Sequence, residues 1–413
     1  MRLKVGRKST IIIMLLTLFS LKFLNIVDLP INSNSLSYLT WIVAVLGCCI
    51  YYPGVKRIIG TFTFVRNYLT YVLFSQIIIC VYSIFKYNET IADMLMTAGV
   101  YVMLAVVCLI IINFQNYGMD FILKRVLILQ FVAIVLALIH SFVYNTTGNS
   151  LFAFTAESFM HNRLRLAIGP LTGLLVCYTF YKFLNRYKQV VMFGIIVVVL
   201  ISLYYVEMTR ANQLAILVTI FIMWLFYKER SRKTIIKYMI AFCLVLILYF
   251  GGFFDSVLSM LSRDTSVNPR AMSTVARINA IEYFSEFTNK NPLIGMGWIR
   301  PYTDQLTKIW SGPNNVYFFD DLGFLGQFYR QGILGALVYI IMLTRMIYII
   351  HKLRHENDNR ILLIGIFTYT CATMPSLNCF DSSRILAVPF YIAIFEYIYK
   401  DYYIAMERSQ ETN

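Results

Sequence analysis

Long apolar runs separated by short polar joints make up most of the chain. They begin near residues 9, 36, 68, 90, 121, 164, 188, 211, 234, 331, 360 and 385. Each approaches the roughly 20 residues that cross a bilayer as a helix. The pattern therefore predicts an all-α polytopic membrane protein with about twelve transmembrane helices. The runs from Asp93 to Phe114 and from Arg186 to Val206 are the clearest. The rhythm divides the chain into nine spans in residues 1–250, a large loop in 251–330, and three spans with a tail in 331–413.

The loop has a pattern of its own. Val275, Ile278, Ile281, Phe284 and Phe287 recur at helical spacing, which predicts an amphipathic helix over VARINAIEYFSEFTNK. Ser273 or Thr274 would cap its start, and Asn291-Pro292 would stop it. Its apolar stripe would lie on the bilayer surface or cap the helix bundle. Gly295 and Gly297 then permit a tight turn. The loop closes on SGPNNVYFFDDLG, whose glycines and proline shape a turn before FLGQF opens the next helix.

Composition agrees with the pattern. Of 413 residues, 59% are hydrophobic and 14% are charged, against about 25% charged in soluble domains. The start RLKVGRK resembles a signal peptide, but no small-residue cleavage site follows, so it reads as an uncleaved first helix. The net charge of +15 does not indicate nucleic acid, because the basic residues sit in short joints between apolar runs. There they orient the chain with both termini cytoplasmic, in KVGRK, KR at 56–57, KR at 124–125, NRYK, KERSRK and HKLRHENDNR. The eight cysteines fall almost entirely inside apolar runs without metal-ligand spacing, so neither a metal nor a disulfide is expected. The sequons at Asn88 and Asn145 carry no weight outside a eukaryotic secretory setting.

The other basic residues are more informative. On the face opposite the termini, arginine predominates: Arg163, Arg165, Arg210, Arg263, Arg270, Arg277, Arg300, Arg330 and Arg384. A planar, permanently charged fork suits a phosphate or diphosphate. Snorkelling and pairing with acids are the alternatives. Glu207 and Arg210 occupy a hairpin so short that both sit near membrane depth, where ionisable groups are costly. Asp320, Asp321 and Glu282 are further acids on that face, and His161 is its histidine. Trp298, Tyr302, Trp310 and Tyr317 suit either sugar stacking or interfacial anchoring.

Three segments resemble the O-antigen polymerase and O-antigen ligase family of bacterial envelope enzymes: TRANQLAIL, ARINAIEYFSEFTNKNPLIGMGW and PNNVYFFDDLGFLGQFYRQGILG. RLRLAIGPLTG echoes a fourth family segment. The resemblance implies a fold of the GT-C type in the bacterial cytoplasmic membrane. It also implies metal-independent glycosyl transfer at the outer face from a glycan on a polyprenyl diphosphate, with no cofactor. Arg210 and Arg277 match the family's arginines, and Arg163, Arg165, Arg270 and Arg300 would add contacts to the ligand. Ligases of the family carry His where this chain has Asn314, followed by Asn315. A neutral amide orients by hydrogen bonds and is no general base, so the position favours the polymerase branch. The proton acceptor would then be Glu207, Asp320, Asp321 or Glu282. Expected partners are the lipid-linked oligosaccharide, the bilayer, a chain-length regulator and a flippase, with no nucleic acid. A ligase and a lipid-linked glycan flippase are the competing readings. Flippases and transporters with about twelve spans often show a repeat between their halves, and none is evident in this sequence.

Overall fold

The computed structural model describes residues 8–21, 33–149, 151, 159–160, 163–164, 166, 168–207, 209–227, 269–313, 315–354 and 358–411. Apart from a two-residue antiparallel ladder, Phe159–Met160 with Arg163–Leu164, the regular structure in them is helical. Five helical segments are long and apolar enough to cross a membrane: Thr63–Tyr87, Ile91–Tyr117, Met119–Thr147, Gln189–Glu207 and Gly323–Lys352. A bent pair, Ser37–Ile50 with Tyr52–Thr61, makes a sixth. The expected twelve are thus met only in part. The run near 234 lies outside the described residues. The segments Ser9–Ser20 and Ala211–Phe226 are apolar but shorter.

Helix α1 (Lys8–Ser20) packs on α2 (Ser33–Ile50). The basic pair at 56–57 was expected in a plain joint but lies in a helix, α3 (Tyr52–Thr61), turned 83° from α2. Pro53, in its first turn, has no N–H to continue α2. Helix α3 buries Gly54 and Ile58 and exposes Lys56 and Arg57. Helix α4 (Thr63–Tyr87) ends on Asn88 in a left-handed conformation. A capping box between Thr90 and Asp93 starts α5 (Ile91–Ala98). The chain continues through a 3-10 stretch, Gly99–Ala105, into α6 (Val106–Tyr117). This span is the centre of the bundle, and the other four long spans are less enclosed. Gly118 turns the chain into α7 (Met119–Thr147).

Next come α8 (Thr172–Leu184), α9 (Gln189–Ser202) with a π-helical end at Leu203–Glu207, and α10 (Arg210–Phe226). The loop helix, α11 (Pro269–Lys290), begins earlier than the expected serine or threonine cap. Proline is well suited to a first helical position, where its missing N–H costs nothing. The expected stop holds, since α11 ends just before Asn291-Pro292. Of its stripe, Phe284 is fully buried, and Ile281 and Phe287 pack beside it. Ala280 and Phe284 join Met296, Ile299, Leu306, Phe319, Leu322 and Tyr329 in a small core that caps the bundle. A short helix, α12 (Asp304–Ser311), completes this cap.

Helix α13 (Gly323–Lys352) begins well before the run expected near 331 and is broken at Gly332 (φ 57°, ψ −154°). Free backbone groups at a break inside a spanning helix are costly. The loop segment 292–297 satisfies both sides of it. Met296 and Gly297 N–H donate to the Tyr329 and Arg330 carbonyls at 3.0 and 2.9 Å. Ile333 and Leu334 N–H donate to the Pro292 and Leu293 carbonyls at 2.9 and 3.2 Å. The chain closes with α14 (Asp358–Thr373) and α15 (Ala387–Glu411).

Candidate functional site at the loop-capped end

The loop is tied to the bundle by residues far apart in sequence. Trp298 N–H donates to Ser83 Oγ at 2.8 Å, and its indole N–H donates to Gln76 at 2.9 Å. Tyr87 OH donates to the Met296 carbonyl at 2.8 Å. Arg300 N–H donates to Glu89 Oε1 at 2.8 Å, and the Arg300 guanidinium pairs with Asp93. The other Glu89 oxygen is buried without a hydrogen-bond partner. Burial therefore pushes the Glu89 carboxyl above its ordinary value, although the Arg300 N–H opposes this.

Beneath the strap lies a buried amide and phenol network. Gln76 Nε2 donates to Gln331 Oε1 at 3.0 Å, as does Gln327 Nε2 at 3.0 Å, and Tyr101 OH donates to the same oxygen at 3.2 Å. Asn378 Nδ2 donates to Gln327 Oε1 at 3.2 Å, and Tyr339 OH donates to Asn378 Oδ1 at 3.1 Å. These groups lock α4, the central span, the first half of α13 and the segment after α14 together. Gln331 Nε2 is buried there without a hydrogen-bond partner, so the network is only partly satisfied.

A second constellation lies beside it. The π-turn brings Glu207 to the start of α10, where Asn212 Nδ2 donates to both carboxylate oxygens at 3.3 and 3.1 Å. Asn212 Oδ1 accepts the Tyr369 hydroxyl at 2.8 Å. The charges of Glu207 and Arg384 both act on that hydroxyl. Arg384 pairs with buried Asp381, whose Oδ1 also accepts the Ser383 and Arg384 N–H groups at 2.7 and 2.9 Å. Gly173 leaves room for the Tyr369 ring, because a Cβ there would stand 2.1 Å from a ring carbon.

The loop core supplies further donors. Arg277 lies on α11 two turns before Phe284, on the same face as buried Ala280, Phe284 and Thr288. Its Nε is buried without a hydrogen-bond partner, and so is Trp310 Nε1. Trp310 meets the Phe319 ring at 6.5 Å, and the Arg330 guanidinium stands 5.6 Å from that ring and 4.5 Å from Trp298.

Several expectations change on this geometry. Arg300, expected to contact a ligand, is held by Asp93 and serves the strap. Trp298, expected to stack on a sugar, is 3% exposed with Arg330 over its ring and the Tyr101 ring 6.0 Å away edge-on, which leaves no face for one. Tyr317 packs against Tyr283 and Phe284 at 5.5 and 6.4 Å, inside the loop's aromatic cluster. Asn315, at φ 54°, accepts the Ser311 hydroxyl at 2.9 Å and holds the turn after α12. Glu282 and Asp321 are exposed. Arg165, His161 and Asn314 lie outside the described residues, and for Arg163, Arg210, Arg270 and Asp320 the backbone alone is described.

Pattern reading missed Asn212, Tyr369 and Asp381, although Asn212 stands two residues after Arg210 within TRANQLAIL. It also missed Glu89, Asp93, Gln76 and Gln327. The one available signal was polar residues inside or at the ends of apolar runs. Among the described residues no group of three or more His, Cys, Asp or Glu is placed to hold a metal ion. No protein-family model matches the chain, and no curated protein matches it significantly.

Proposed function

We propose that the protein is a polysaccharide polymerase of the O-antigen polymerase and ligase type. It would lie in the bacterial cytoplasmic membrane with a GT-C-like bundle and both termini cytoplasmic. It would join oligosaccharide repeat units carried on polyprenyl diphosphate at the outer face. One observation carries the reading. The large loop folds onto the end of the bundle that holds Glu207, Tyr369 and Arg384, and its core there contains two buried donors, Arg277 Nε and Trp310 Nε1, without acceptors. A buried donor left unsatisfied costs about 1–3 kcal/mol. Diphosphate and sugar oxygens are acceptors of the required kind.

In this mechanism the diphosphate leaves with the electron pair of the anomeric C–O bond. Arg210 and Arg277 stabilise the growing charge in a partly dry site. The amide of Asn314, with the side-chain NH2 of Asn315, orients the acceptor sugar, whose hydroxyl oxygen forms the new glycosidic bond and gives its proton to a carboxylate.

Deleting the gene tests the reading. Loss of a polymerase leaves single repeat units displayed outside the cell. Loss of a flippase traps unextended units inside, and loss of a ligase leaves long polymer unattached to its acceptor. Arg277→Ala and Arg210→Ala lower long-chain glycan by about a hundredfold or more. Wild-type glycan length and amount with either variant protein present in the membrane would refute the mechanism.

A further inference from the structure

We propose that Glu207 is the proton acceptor of the transfer and that Asn212 and Tyr369 are positioning residues that hold it in place. The inference rests on the glycosyl-transfer reading and adds to it the choice of base and the device that fixes it.

Geometry separates the candidate acids whose side chains are described, which are Glu207, Asp321 and Glu282. Glu282 lies exposed on α11, where its backbone carbonyl accepts the Ser285 hydroxyl at 2.7 Å. Asp321 is exposed in the short turn before α13. Glu207 differs from both. Its carboxylate is half-buried at the end of a π-turn, and a single planar amide reaches both of its oxygens. The π-helical stretch Leu203–Glu207 ends α9, and short π segments are frequent at functional sites. Its geometry is fixed here by Gln213 Nε2, which donates to the Leu203 carbonyl at 2.9 Å.

Tyr369 OH donates to the Asn212 oxygen, which leaves the Asn212 NH2 to face Glu207. This is the arrangement that an ionised carboxylate, which only accepts, calls for. It fixes the rotation of the Glu207 carboxylate plane. Asn212 is 5% exposed and the Tyr369 ring is seated against Gly173, so neither partner has freedom to turn away. Glu207 then takes the proton of the acceptor hydroxyl as that oxygen bonds to the anomeric carbon. The C–O bond to the diphosphate breaks, and polyprenyl diphosphate leaves with the electron pair. No oxidant, reductant or other reactant is needed.

The test uses the full-length protein in liposomes supplied with polyprenyl-diphosphate-linked oligosaccharide, with initial rates of glycan elongation as readout. Glu207→Gln lowers kcat by a hundredfold or more, within the roughly 10²–10⁴ range of a general base. Tyr369→Phe keeps the ring in its seat and loses only the hydrogen bond. It lowers kcat about tenfold and leaves KM within about twofold. Asn212→Leu lowers kcat further than Tyr369→Phe does. The decisive variant is the pair Glu207→Gln with Tyr369→Phe, which equals Glu207→Gln alone, because the tyrosine acts only through that carboxylate. A purely structural tyrosine lowers activity again in the double variant, and that result overturns the relay. Wild-type kcat in Glu207→Gln overturns the base. No elongation by the wild-type protein would instead refute the transfer reading itself, so the two failures are distinguishable.

Discussion

Arg300 and Glu89 show how the environment of a single side chain decides its role. Arg300 belongs to the arginine set that the charge pattern assigns to ligand binding, yet its backbone N–H meets Glu89 and its guanidinium meets Asp93 instead. The Arg300 side chain is partly exposed, so solvent screens the pair and its contribution to stability is modest. Arg300→Ala and Asp93→Ala should each lower the thermal unfolding midpoint in detergent. The double variant should be no less stable than Asp93→Ala, which already loses both the pair and the capping box of α5. Glu89 behaves oppositely. Its folded carboxyl is raised by burial, so the folded state favours the protonated form. Stability then falls as pH rises from the ordinary carboxylate range through the raised value. Glu89→Gln is predicted to be more stable than wild type at neutral pH, with the difference closing below the ordinary carboxylate range. Midpoints that run parallel at every pH would contradict this.

At the level of elements, the break in α13 is the structural hinge of the site. Gly332 needs a backbone that an L-residue with a Cβ resists, and a Cβ there would meet Leu293 backbone atoms at 2.5 Å. Gly148 also has a positive φ, of 74°, but a Cβ there meets nothing within 4 Å. Gly148→Ala should therefore cost about 1 kcal/mol. Gly332→Ala should cost several times more and free the segment 292–297, read as faster protease cleavage of the loop. Equal midpoints for the two variants would show that the loop does not seal the break. The same region shows where the sequence pattern was partly readable. FLGQF opens α13 as expected, but Gln327, Arg330 and Gln331 interrupt the apolar pattern and delay the run to about 331. Here Gln327 and Gln331 face a buried network with partners on α4, on the central span and after α14. By contrast the α11 helix and its stop at Asn291-Pro292 were readable, since both are local signals. Pairings such as Asp93 with Arg300, or Asn212 with Tyr369, join residues hundreds of positions or several helices apart. No periodicity reports them.

For the molecule as a whole, contacts place the joints at two opposite ends. One end gathers Glu89, Glu207, the loop 292–331 and Arg384. The other gathers Asp120 with Lys124 and Lys182, Arg345 with Glu396, and Lys400 over Phe62. On the proposed orientation the second end is cytoplasmic. With the native cysteines replaced, Gln305→Cys should then react with a membrane-impermeant thiol reagent in intact cells. Lys188→Cys and Lys352→Cys should react only after permeabilisation. The reverse pattern would place the loop on the cytoplasmic side and remove the polymerase reading.

The central claim is tested most directly by purified protein in sealed liposomes, with polyprenyl-diphosphate-linked oligosaccharide on the loop side. The account predicts a ladder of lengthened glycans, release of one polyprenyl diphosphate per bond formed, and loss of both with Arg277→Ala. Donor that stays unextended, or that crosses the bilayer without elongation, would contradict it.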